Sequence, residues 1–198
     1  MALVLNGSAN TIGGLAVGGL PDGIVDAGTI AAEAVTSEKM GPDTIAQVKS
    51  TTKTNAFSST STSWTDVTGL SVNITPTTNS NKILVSFDIS VGHNVQSQHS
   101  FKLVKVIGGV ESAVGTNYAY SGNGTSMFYS YAPSAAEAGW NREHVTYEVL
   151  DSPATTSEIT YKLQTWIYNS SYTQWVNRCE QDANTTGSST ITVKEVVA

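Results

Sequence analysis

Between Lys82 and Val91 apolar residues recur at every second position, with Leu84 the one apolar residue between them, and few local structures accommodate that pattern. In an extended strand successive side chains point to opposite faces, so Ile83, Val85, Phe87, Ile89 and Val91 share one side and Leu84, Ser86, Asp88 and Ser90 the other. A helix would scatter both sets around its circumference. The first set is β-branched or aromatic in all five of its members, which predicts a strand buried on one face. The second set is mostly polar and predicts a face that meets water or a wet interface.

The same period recurs along the chain from about residue 44. Ile45–Val48, Trp64–Val67 and Leu70–Ile74 place apolar residues at intervals of two or three. Phe101, Leu103, Lys105 and Ile107 oppose Lys102, Val104 and Val106; Gly108-Gly109 then leads into Val110–Val114, a hairpin signal because both glycines tolerate positive φ. Further strands are expected over Thr125–Tyr131, Arg142–Leu150, Glu158–Tyr168, Tyr172–Asn177 and Thr190–Val197. Within Thr160–Tyr168, Tyr161, Leu163 and Thr165 oppose Lys162, Gln164 and Trp166. About ten short strands with no long helical pattern predict an all-β fold, an antiparallel β-sandwich or jelly roll. The edges of such sheets can pair with other chains, and trimeric or higher assembly is one way to cover them.

Residues 1–43 have a different character and are read as a separate N-terminal attachment and trimerisation segment, with 44–198 as the sandwich domain. The segment contains no aromatic residue and is rich in Gly and Ala, so it has too little bulky apolar surface for a core of its own. Its order is expected to come from sister chains or a neighbouring protein. Leu15, Val17 and Leu20 precede a turn at Pro21-Asp22-Gly23, and Thr29–Met40 reads as a short helix capped by Thr29 and stopped by Gly41-Pro42. Thr29-Ile30-Ala31 recurs as Thr44-Ile45-Ala46. The expected form is extended or partly helical.

Only 13% of residues are charged, with a net charge of -6 and 10 Lys+Arg. That balance argues against nucleic-acid binding, which needs phosphate neutralisation. Ser and Thr, roughly a quarter of the chain, coat the surface instead. No run of about 20 apolar residues is present to cross a membrane. Met1–Gly18 lacks the charged head and unbroken apolar run of a secretory signal, so the mature chain is expected to begin near Met1. The lone Cys179 excludes an intrachain disulfide and a cysteine-based zinc site.

Motifs for catalysis are sparse, and neither an enzyme activity nor a cofactor is expected. His93 and His99 flank a turn over Gly92–Ser100 without a spacing that aims both rings at one metal, and His144 stands apart. The glycines of Ile12–Leu20 lack the strand–helix context or the following Gly-Lys-Ser/Thr of a phosphate cradle. Glu143 and Glu148, or Asp151 and Glu158, have no feature that sets them apart from solvated surface charges. Asn-x-Ser/Thr triplets begin at Asn73, Asn123, Asn169 and Asn184, as a chain this rich in Ser and Thr produces by chance. Aromatic residues crowd Tyr118–Trp140 and Trp166–Trp175. Phe128 and Trp166, on alternating segments, are read as core. Tyr118, Tyr120 and Tyr172 sit among Gly, Asn and Ser, where a ring is offered to a ligand, and are the candidate receptor-binding residues.

Several phrases carry a resemblance. Leu3-Val-Leu-Asn-Gly-Ser8, Gly14–Gly23 and Ala34–Met40, then Thr68–Pro76, Lys82–Val85, Leu150–Thr156 with Tyr161-Lys162, Val176–Arg178 and Ser189–Val196, together resemble small fibre or appendage proteins of tailed phages, especially marine and cyanobacterial ones. The resemblance covers most of the chain and contains no catalytic motif. It implies a structural protein of the virion, assembled in the host cytoplasm: an attachment segment followed by a β-sandwich knob, commonly homotrimeric and similar in outline to the tumour necrosis factor and complement C1q jelly rolls. Members include tail fibres, receptor-binding tips and head decorations. Leu3, Val4, Leu5, Leu15, Val17 and Leu20 are the candidates for attachment to other tail or capsid proteins, and a host glycan or protein is the expected receptor. The chain has almost no shaft, which favours a short spike or a capsid-bound knob over a long fibre. A carbohydrate-binding module is the alternative from another class; glycan cleavage needs two carboxylates flanking one bond, and no pair stands out.

Overall fold

The computed structural model describes residues 4–6, 11–13, 34–36, 39–93, 98–115, 118–119, 125–126, 128–131, 140, 142–181 and 187–198. Side chains are described for all of these except 4–6, 11–13, 93, 98–99, 118–119, 125–126 and 128–131. The chain divides into two compact units, Met1–Lys39 and Met40–Ala198. In the first, β1 (Val4–Asn6) and β2 (Thr11–Gly13) pair antiparallel, with Leu5 opposite Ile12. Of the helix expected over 29–40, residues 34–36 are not helical, and the Lys39 N–H donates to the Thr36 carbonyl at 2.9 Å in a single 3₁₀-type turn. The remainder of that segment lies outside the described residues.

The second unit is a β-sandwich of two antiparallel sheets. The larger contains β3 (Ile45–Lys53), β4 (Phe57–Ser59), β6 (Lys82–His93), β12 (Arg142–Asp151), β14 (Gln174–Val176) and β15 (Ser189–Val196). The smaller contains β5 (Thr65–Ile74), β7 (Gln98–Ile107), β8 (Val110–Ala113), β11 (Phe128–Tyr131) and β13 (Ile159–Ile167). A further pair, β9 (Tyr118–Ala119) and β10 (Thr125–Ser126), is separate in hydrogen bonding.

β6 is the spine of the larger sheet. One edge pairs with β12 from Ile83 to Gly92; the other pairs first with β15 and then, from Val91 to His93, with β14. β15 in turn pairs with β3, so the first and last strands of the sandwich lie side by side. In the smaller sheet β13 runs between β5 and β7, and the Gly108-Gly109 turn, with φ of 57° and 83°, returns the chain from β7 to β8 as expected.

The core lies between the sheets. All five residues expected on the inner face of β6 are buried there, in one cluster with Val67, Leu70, Val72 and Ile74 of β5, Phe101 and Leu103 of β7, Ile159, Tyr161 and Leu163 of β13, and Ile191 and Val193 of β15. Burying each large aliphatic or aromatic side chain contributes about 1.5–3 kcal/mol. Phe87 stacks on Tyr147 of β12, its cross-strand partner, at 5.8 Å.

Polar groups close the sandwich where apolar packing ends. Glu195, on the inner face of β15, is fully buried. Its Oε1 accepts from the Thr77 N–H (2.7 Å), the Thr77 hydroxyl (2.8 Å) and the Asn81 amide (2.7 Å), and its Oε2 from the Gln47 amide (2.6 Å). Burial alone would raise the Glu195 pKa; these hydrogen bonds outweigh it and hold the carboxyl below its ordinary value. Thr77 and Asn81 belong to the connection from β5 to β6, so one carboxylate fixes the corner between the sheets.

A second device crosses β6. Asn177, at φ 65°, donates through its side chain to the carbonyls of Lys53 (2.8 Å) and Asn55 (3.2 Å), and its Oδ1 accepts from the Ser189 hydroxyl (2.5 Å). Its N–H donates to Ser90 O at 2.8 Å. The backbone following Asn177 lies so close that a Cβ on Gly92 would stand 2.2 Å from Arg178 O. Ser90 is therefore buried although it points away from the core.

Two expectations follow. A folded-state pKa below the unfolded one gives stability that is complete above the unfolded value and is lost as pH falls through the folded one. The urea midpoint is expected to be flat above about pH 5 and to fall in more acid solution, and Glu195→Gln is expected to cost about 1–3 kcal/mol near neutrality and to flatten the acid decline. A variant midpoint equal to wild type at both ends of that range would contradict this role. Gly92→Ala meets backbone rather than a movable side chain and is expected to cost about 1–3 kcal/mol in the same assay.

Candidate functional site

The outward residues of β13 include Lys162, Gln164 and Trp166, as their alternation requires. Gln164 is aligned with Lys102 of β7 on one side and Asp66 of β5 on the other, and Trp166 with Ser100. The alignment with β5 depends on a register shift opposite Leu163, where β5 carries extra residues around Gly69 at φ 83°. The β7–β8 hairpin brings Glu111 to the same face.

These side chains form a closed polar ring. Lys162 Nζ donates to Asp66 Oδ2 at 2.7 Å and to Glu111 Oε1; Gln164 Nε2 donates to Asp66 Oδ1 at 2.7 Å and to Glu111 Oε2 at 3.2 Å. Burial alone would lower the Lys162 pKa, and hydrogen bonds and charge from Asp66 and Glu111 reverse this, so its ammonium is held above the ordinary value. For Lys102 burial prevails over the attraction of Glu111 and Asp66, and its pKa is lowered. Gln164 Oε1 is buried without a hydrogen-bond partner.

Aromatic rings adjoin the polar ring. Trp166 is only 5% exposed, and its Nε1–H donates to Thr62 O at 2.7 Å. Trp64 lies 6.4 Å from it, tilted by 39°, and Tyr168 lies 6.4 Å away edge-on at 77°. Lys102 Nζ stands 4.6 Å from the centroid of Trp64, within cation–π range. Tyr168 is 59% exposed and Trp64 half-buried. The arrangement offers a rigid apolar edge beside two accessible carboxylates.

The outer face of the larger sheet is different. A shallow groove of about 500 Å³ is lined by Ser86, Asp88, Thr146, Glu148, Thr190 and Thr192, together with Phe87 and Tyr147. The hydroxyls bond to one another across strands, Ser50 with Thr192 at 2.9 Å and Thr52 with Thr190 at 3.2 Å. His144 Nδ1 lies 2.9 Å from Asp88 Oδ1.

Of the residues singled out in the sequence, Tyr172 is half-buried in a turn where its N–H donates to Asn169 O at 3.0 Å. Tyr118 is on β9, paired with Ser126, but its side chain lies outside the described residues, as does all of Tyr120. Val4 and Leu5 are on β1 with side chains outside the described residues; Leu3, Leu15, Val17 and Leu20 lie outside them altogether. The side chains of His93, His99 and Phe128 also lie outside. Cys179 is buried and free. Among the described residues, no three His, Cys, Asp or Glu side chains are grouped to hold a metal ion. Trp166 is buried, but on the outer face of its sheet rather than between the sheets. Trp64, Asp66, Lys102, Glu111 and Tyr168 were not anticipated as a group; their signal was the two-residue spacing of Trp64 with Asp66 and of Trp166 with Tyr168.

No family model matches the chain, and no curated protein does. Among solved structures, the VP2 subviral particle of infectious bursal disease virus is similar at 14% identity and a TM-score of 0.37, over 79% of this chain and 38% of that one. The structure of the Gx strain of the same virus is similar at 14% identity and a TM-score of 0.33, over 77% and 38%. The chain spans about two-fifths of the length of these structures, and likeness at this level carries no inference about what it does.

Trp166 holds the neighbouring rings in place through its contact with Thr62. Trp166→Phe is expected to remove that hydrogen bond and shrink a buried ring, lower stability by about 1–3 kcal/mol in urea, and change the tryptophan fluorescence of Trp64. An unaltered midpoint would show that the loop before β5 is held by other means.

Proposed function

We propose that this chain is a non-enzymatic structural protein of a virus particle, a short tail fibre or appendage of a tailed phage that displays a homotrimeric β-sandwich to the host surface. The observation that carries the reading is the division of the chain after Lys39: a small unit lacking aromatic residues precedes a sandwich with its own core. Attachment and display need that division of labour. The sequence resemblance supplies the particle, and the small residues of the leading segment are suited to close approach of sister chains. A head fibre or capsid decoration uses the same layout, with the leading unit gripping a shell subunit. A carbohydrate-binding module is the reading from a different class, and the aromatic cluster at Trp64, Trp166 and Tyr168 is the observation in its favour.

Native mass measurement is expected to give three times the 20.8 kDa of one chain; a monomer at micromolar concentration would remove the trimer. Antibody labelling of purified particles is expected at the tail, and label on the shell would move the assignment to the capsid. Removal of residues 1–39 is expected to leave a folded sandwich that no longer joins particles, and normal incorporation of that variant would overturn the attachment role.

A further inference from the structure

We propose that the outer face of the smaller sheet, at Trp64, Tyr168, Asp66 and Glu111, binds a neutral glycan. Three features of the face select this class of ligand. The first is exposed aromatic area held rigidly: Tyr168 is 59% exposed yet packs edge-on against the buried Trp166, whose indole is fixed to Thr62 O at 2.7 Å. A ring already packed against a fixed neighbour offers the C–H face of a sugar an apolar surface with less loss of rotamer freedom than a free one.

The second is acceptor capacity. Asp66 and Glu111 have side chains 49% and 45% exposed. Each of their four oxygens accepts one bond from Lys162 or Gln164. A carboxylate oxygen has room for a second donor, and an incoming hydroxyl would form a charge-assisted bond there. Both carboxylates are oriented by strand residues, so they are placed before the ligand arrives.

The third is charge balance. Lys102 and Lys162 offset Asp66 and Glu111, so the face has no net formal charge with which to attract an anion or a cation. An acidic sugar would meet the two carboxylates and a basic peptide the two ammonium groups; a neutral polyol meets donors and acceptors alike. Gln164 Oε1, buried without a hydrogen-bond partner, also sets the network apart from a purely structural pin, whose buried polar atoms are normally all bonded.

The inference deepens the display reading by naming what the sandwich would meet, and depends on it only for the source of the glycan. The test uses the full chain on an array of neutral and acidic oligosaccharides, with bound glycans then titrated by tryptophan fluorescence. Neutral glycans are expected to bind, with Tyr168→Ala and Asp66→Asn each weakening affinity by about tenfold or more. Glu148→Gln, in the groove of the other sheet, is expected to bind as wild type does. Absence of any bound glycan, binding confined to acidic glycans, or affinity that survives both substitutions would overturn the proposal. The array reads the site without a particle and labelling reads the location without a ligand, so either idea can fail alone.

Discussion

Burial of one face of β6 is the constraint on which the rest of the sandwich depends. The strand is hydrogen-bonded along both edges, and its inner residues share one cluster with residues of the smaller sheet. Because side chains alternate, a slip of one residue would turn Leu84, Ser86, Asp88 and Ser90 inward and five large apolar residues outward. Two hydroxyls and a carboxylate without partners cost far more than an adjusted turn. The register of β6 is thereby fixed, and with it the pairing of β12 and β15. The outward rows follow: Asp88 stands between Thr190 and Thr146, and Ser86 between Thr192 and Glu148.

Apolar packing fixes the middle of the sandwich, and paired polar groups fix its ends. Asp151 at the end of β12 accepts from Lys105 at 2.8 Å and from the Tyr161 hydroxyl at 2.7 Å, joining the two sheets. Burial, reinforced by Asp151, pushes the Tyr161 pKa upward, so the phenol remains a donor. Elsewhere the Thr165 hydroxyl donates to Gln174 across the sheets. Glu195 fixes the corner after β5. Each contact joins different elements of the sandwich and is directional, so it specifies a single alignment of sheets that could slide if only aliphatic groups met.

The sequence made the strands legible where local pattern and tertiary role coincide. The inner face of β6, the Gly108-Gly109 turn and the split of β13 into two faces all follow from period two and from glycine's tolerance of positive φ. Glu195 was not legible as a buried anion: it alternates correctly with Lys194, but its four donors come from segments more than a hundred residues away. Trp166 had the opposite difficulty. Its size predicts burial, yet alternation with Thr165 and Ile167 places it outward, where Trp64 and Thr62 cover it. Side-chain burial and the location of the core are separate properties, and a large ring on an outward position obeys only the first.

The aromatic and polar groups of the smaller sheet meet because of an irregularity. At one end of β5, Ser71 is opposite Lys162; continued without a shift, that pairing would set Gly69 against Gln164 and Val67 against Trp166. Val67 would then face outward, and Trp64 and Asp66 would point into the core. The extra residues around Gly69 reverse the alternation between the two ends of the strand, so Val67 and Leu70 both lie in the core and Asp66 stands beside Gln164. Gly69, at φ 83°, adopts this conformation without the strain a side chain would add. The bulge thus serves packing and surface together: the same shift that completes the apolar cluster assembles the outward ring of Asp66, Lys162, Gln164 and Glu111. A face built in this way is tied to the core behind it, and its geometry is as rigid as the strands that carry it.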